Sequence, residues 1–166
     1  MKGIKLNILL GVLFVSVMGT LLHFAYSVSG ESWLVGLFAP INESIWEHTK
    51  LAFFPMLLYT GYLCKKCKPE YPCIQSAMLS AALLSVILII VLFYTYSGML
   101  GFHVAFADIS IFYISVLLAF YAAYALTISC KAEKWKMVLR LLTILMVLLF
   151  FLFTFSPPNI PLFVSP

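Results

Sequence analysis

The residues of this chain that could do chemistry are few, and they are gathered. In P-I-N-E-S-I-W-E-H-T-K, positions 40–50, Glu43, Glu47, His48 and Lys50 stand close together in a chain whose charged fraction is 10%. The other histidines, His23 and His103, and the acid Asp108 lie elsewhere in the sequence. Imidazole nitrogen and carboxylate oxygen suit zinc and related divalent ions, held by three or four ligands with a water completing a catalytic site. His23, Glu43, Glu47, His48, His103 and Asp108 offer enough donors for such a metal site. The spacing is not H-E-x-x-H, in which both histidines share one helix face, so an ion would draw its ligands from separate segments. With an ion bound, Glu43 or Glu47 could take a proton from its water. Glu43, Glu47 and His48 are therefore the candidate catalytic groups of a metal-dependent membrane hydrolase acting on a lipid-like substrate. Without an ion, the same residues form a polar pocket for a proton, another ion or a lipid headgroup, walled also by Asn42, Ser44, Trp46 and Lys50. Ser44 and His48 at i, i+4 lack the G-x-S-x-G turn of a serine hydrolase.

A plainer reading makes this stretch a helix terminus. Asn42 caps the first turn, Glu43 complements the positive end of the helix dipole, and Glu47 lies one turn above it on the same face. Trp46 anchors at an interface, and Lys50 neutralises an acid while reaching for water.

The elements that must position these residues follow from composition. The chain has 166 residues, of which 64% are hydrophobic, and its mean hydropathy is +1.09. That excess belongs to the membrane class. Crossing a bilayer core of ~30 Å takes about 20 helical residues. Five apolar runs meet that length, at roughly 6–27, 45–64, 74–96, 109–129 and 137–156. The expectation is a single all-α integral membrane domain over 1–166, a bundle of five transmembrane helices with short connections. A cleaved signal peptide is disfavoured because the first apolar stretch is longer than such segments have.

Lys2 and Lys5 precede the first run, Lys65, Lys66 and Lys68 follow the second, and Lys131, Lys134, Lys136 and Arg140 separate the fourth from the fifth. These segments share one side of a five-span protein and hold nine of its ten basic residues. The positive-inside rule makes that side cytoplasmic, with the amino terminus inside and the carboxyl end outside. The net charge of +4 is then topology and calls for no nucleic acid. Counting span lengths from Lys5 and Lys65 brings His23, Glu47, His48 and Lys50 to the outer leaflet, with His103 and Asp108 at the same level. Ionisable groups at such depth pair or line a cavity.

Cys64, Cys67, Cys73 and Cys130 fall on the cytoplasmic side under this topology, where disulfides are not expected; four thiols there could instead hold a structural zinc. Pro55 is expected to bend the second span. Tyr94, Tyr96, Phe102 and Phe106 read as interface-belt aromatics, and the uncharged, proline-rich tail F-S-P-P-N-I-P-L-F-V-S-P as an extended segment on the outer surface. No repeat, phosphate-binding loop or heptad pattern is present.

The stretch W-L-V-G-L-F-A-P-I-N-E-S-I-W-E-H-T-K-L-A-F-F-P resembles a family of small multi-pass bacterial membrane proteins, a domain of unknown function with an F-x-P-[VI]-N-E-S-x-W-E-H-x-K signature. The resemblance implies a multi-pass protein of a bacterial plasma membrane and no particular chemistry. Membrane lipids are the expected partners, with a homo-oligomer or an accessory-subunit role open. The expected function is an outward-facing Glu/His/Asp site at headgroup depth, with the hydrolase as the alternative.

Overall fold

A computed structural model describes residues 2–165; Met1, Pro166 and the side chain of Lys2 lie outside that description. Six α-helices run in chain order: α1 Lys2–Val28, α2 Trp33–Gly36, α3 Ile45–Cys67, α4 Ile74–Leu100, α5 Ala105–Ser129 and α6 Lys136–Phe155. Two 3-10 turns, Glu133–Trp135 and Pro161–Phe163, precede and follow α6. Among the described residues there is no strand.

Five of the helices are long, and they lie where the five apolar runs are. Among the described residues four segments are long and apolar enough to cross a membrane: Gly3–Val28, Ile74–Leu100, Ala105–Ser129 and Glu133–Phe155. The exception, α3, has 23 residues and so spans about 34 Å at the helical rise. Its charged side chains lower its hydropathy, and the bundle compensates by enclosing it. Trp46, Glu47, Lys50, Phe53, Phe54, Met56 and Leu63 are all buried. Helix α3 packs on α1, α4 and α6, and α4 packs on α5 and α6. The apolar surface that soluble helices would hide faces outward on the flanking helices, as at Leu9, Leu13, Leu117, Leu118, Leu141 and Leu148. Such a surface suits a hydrocarbon surrounding.

Close approach of α1 depends on two buried glycines. A Cβ at Gly11 would lie 2.4 Å from the Phe120 ring, and one at Gly19 would lie 2.6 Å from the Leu51 carbonyl. Small residues at helix crossings are how membrane bundles bring backbones together. At the basic end of the bundle, Tyr59 Oη donates to Asn7 O at 2.6 Å and ties α3 to α1.

Two expectations change here. Cys73 and Cys130 are joined in a disulfide that fastens the α3–α4 connection to the end of α5, while Cys64 and Cys67 are free. Four thiols are therefore not available for a cytoplasmic zinc site. The two cysteines lie 57 residues apart, and their proximity follows from α4 and α5 running antiparallel, which spacing alone does not reveal. The tail is also not extended throughout. It folds back as the Pro161–Phe163 turn and buries Phe163 against Trp46, with ring centroids 5.1 Å apart.

Candidate functional site

Helix α3 starts later than its sequence suggests, and that shift decides what each residue of the P-I-N-E-S-I-W-E-H-T-K stretch does. Ser44 is the N-cap, its hydroxyl accepting from Glu47 N at 3.4 Å. Asn42 acts one step earlier, its Oδ1 accepting from Ser44 N at 2.9 Å. Both are capping types, and the later one wins the helix. Glu43 therefore precedes the helix and does not stack on Glu47. The expected acidic stripe is replaced by two carboxylates in two environments.

Glu47 turns inward. Its Oε2 accepts from Lys50 Nζ at 2.7 Å and from Ile41 N at 3.0 Å, with only 2% of its side chain exposed. Lys50 does not reach water either; it is wholly buried, and it also donates to Gly36 O at 3.0 Å and Thr154 Oγ1 at 2.6 Å. This clasp binds the α2 segment, α3 and α6 together. It satisfies every ammonium proton, as a buried charge requires. Trp46 packs nearby on Phe150, Phe153 and Phe163.

Glu43 and His48 face the other way, into a cavity of about 590 Å³ between α1, α3, α4 and α5. His23, Glu43, His48, His103 and Asp108 all line it. Glu47, Asn42, Ser44, Trp46 and Lys50 do not. Ligand atoms of His23, Glu43 and His48 all lie within 4.8 Å of one another, and the His23 and His48 rings are 5.3 Å apart. His103 shares the cavity but stands apart from this trio.

The protons of His48 can be assigned from its neighbours. Nδ1 lies 2.9 Å from Ser44 O, and a carbonyl can only accept, so Nδ1 carries the hydrogen. Nε2 then faces Glu43 Oε2 at 3.3 Å. A lone pair opposed to a carboxylate is repulsive unless a proton or a cation lies between them. His23 has the complementary problem, since its Nδ1 is buried with no hydrogen-bond partner. Fixing one ring nitrogen on a backbone carbonyl so that the other can ligate is the usual arrangement around metal-binding histidines. Two imidazoles and one carboxylate are also the ligand set of several catalytic zinc sites.

On the opposite wall, His103 Nδ1 lies 3.2 Å from Asp108 Oδ2. Tyr96 Oη accepts from Val104 N at 3.1 Å and donates to Asp108 Oδ1. Tyr96 is thus a structural partner of the acid in addition to an aromatic near a helix end. Its 12-residue separation from Asp108 spans the α4–α5 connection, where no helical periodicity links the two. Below this polar rim the lining is apolar: Leu51, Ile89, Phe93, Ile111 and Phe112. Among the described residues no lysine or arginine lines the cavity.

A model of a family of unknown function (DUF6512) matches residues 1–166, and the chain belongs to that family. No curated protein and no solved structure matches it.

Proposed function

We propose that this chain is a five-span protein of a bacterial plasma membrane that binds a divalent cation, zinc foremost, in the His/Glu/Asp cavity at headgroup depth. One observation carries the reading: His48, its Nδ1 hydrogen held by the Ser44 carbonyl, presents Nε2 to Glu43, with His23 beside them. A proton would settle only the His48–Glu43 contact. A cation settles that contact and gives the unpartnered His23 ring a role as well. Glu43 and Asp108, with no lysine or arginine among the described lining residues, favour a doubly charged ion over a singly charged one. Helix α3, second in chain order, completes the five spans in this proposal, its charges paired inside the bundle where lipid does not reach them.

The proposed orientation keeps the basic end cytoplasmic, because nine of the ten basic residues belong there. The Cys73–Cys130 disulfide at that same end favours the opposite side. Charge carries the proposal, since it rests on three separate segments, and the disulfide is then a bond that cytoplasmic reductants open.

Elemental analysis of the detergent-purified protein, without a metal-binding tag, tests the site. We expect near-stoichiometric zinc after reconstitution, lost in His48→Ala and Glu43→Gln and retained in Cys64→Ala. Absence of metal, or metal lost only in Cys64→Ala, overturns the reading.

A further inference from the structure

We propose that His103, oriented by Asp108 and Tyr96, is the general base of a hydrolytic site for acyl-chain esters or amides; this rests on the metal reading above. The polar chain on this wall runs in one direction. Val104 N occupies an acceptor position on Tyr96 Oη, so the phenol proton goes to Asp108. Asp108 in turn accepts from His103 Nδ1. That leaves His103 Nε2 as a free lone pair with no partner among the described residues. A histidine held in one tautomer by a carboxylate is a group built to accept a proton and return it.

The cavity states the substrate class. Its polar rim meets an apolar floor of Leu51, Ile89, Phe93 and Phe112, which matches a carbonyl attached to a hydrocarbon chain. Its edge includes Phe24 and Ile109, which are 57% and 58% exposed on the outer faces of α1 and α5. A chain dissolved in lipid can enter there laterally. With no lysine or arginine among the described lining residues to hold a phosphate's charge, the rim suits a neutral carbonyl as the reacting group.

A cation on His23, Glu43 and His48 would supply Lewis acidity at the rim. His103 Nε2 takes one proton from a water as its oxygen adds to the carbonyl carbon. The bond from that carbon to the leaving oxygen or nitrogen then breaks, and His103 returns the proton to the leaving atom. A carboxylic acid and an alcohol or amine result, with no further reactant consumed. Asp108 and Tyr96 are positioning residues.

The test uses the zinc-loaded protein in detergent micelles with the dodecanoyl ester of 4-methylumbelliferone and the dodecanoyl amide of 7-amino-4-methylcoumarin. Zinc content is measured on every sample. Release of the fluorophore is expected, falling at least 100-fold in His103→Ala, which is the low end for a lost general base, while zinc stays bound. Asp108→Asn should lower kcat at unchanged KM, and Asp108→Glu should regain part of it. Zinc bound without turnover of either probe, or turnover indifferent to His103→Ala, overturns this inference and leaves the metal reading standing. Cleavage of a phosphodiester probe in place of both overturns the substrate class. Absence of zinc overturns both proposals together.

Discussion

Replacing Lys50 by methionine tests whether the Lys50–Glu47 clasp is a charged pair. Methionine keeps most of the side-chain volume, so packing is nearly conserved and the change is electrostatic. Three hydrogen bonds are lost, to Glu47, Gly36 and Thr154. Side-chain hydrogen bonds inside membrane bundles average ~0.6 kcal/mol, so three neutral bonds together are worth about 2 kcal/mol. Glu47, however, is left 2% exposed with no cation, and stranding one partner of a buried ion pair costs about 3–5 kcal/mol. The two mechanisms therefore predict different numbers. The assay is reversible unfolding in mixed detergent followed by far-ultraviolet circular dichroism, for Lys50→Met, Glu47→Gln and the double variant. The double variant should be more stable than Lys50→Met alone, because neither charge remains. A Lys50→Met cost near 2 kcal/mol or below, with the double variant no more stable than the single, would refute the charged clasp.

Gly19→Ala places a Cβ 2.5 Å from the Phe112 ring and 2.6 Å from the Leu51 carbonyl, so it should lower the unfolding midpoint and shrink the cavity floor. Gly61→Ala meets nothing within 4 Å and should be neutral or stabilising by up to about 1 kcal/mol in a helix. The opposite ordering in a thermal melt would contradict the α1–α3 crossing. After mild oxidation of the detergent-purified protein, alkylation of the unfolded chain should add two labels, at Cys64 and Cys67, and four after reduction; four labels on the oxidised protein would refute the Cys73–Cys130 bond.

Helices were the legible part of the sequence, because apolar runs of crossing length leave the backbone little choice. Counting span lengths from Lys5 and Lys65 puts His23, Glu47, His48 and Lys50 at one level; His23 and His48 line the cavity with His103 and Asp108, whereas Glu47 and Lys50 do not. The start of α3 was less legible, since Asn42 and Ser44 are both good caps and only packing selects between them. That two-residue ambiguity sends Glu43 into the cavity and Glu47 into the core. The partners of Lys50 were not legible at all. Gly36 is 14 residues away and Thr154 is 104, and neither separation leaves a periodic trace. Tyr96 carried a detectable signal only in being a hydroxylated aromatic facing an acid across a short turn.

The long reach of the Lys50 contacts also bears on how the chain is made. During synthesis α3 emerges with Glu47 and Lys50 already on it, while Thr154 belongs to the last helix, more than a hundred residues behind. Until α6 is made, the ammonium has Glu47 and Gly36 as acceptors and lacks its third. Arrival of α6 supplies Thr154 Oγ1 and completes the ammonium's acceptors. The final helix thus acts as a latch on the buried lysine, and a chain that lacks α6 keeps the ion pair on α3 but leaves one ammonium proton without its acceptor.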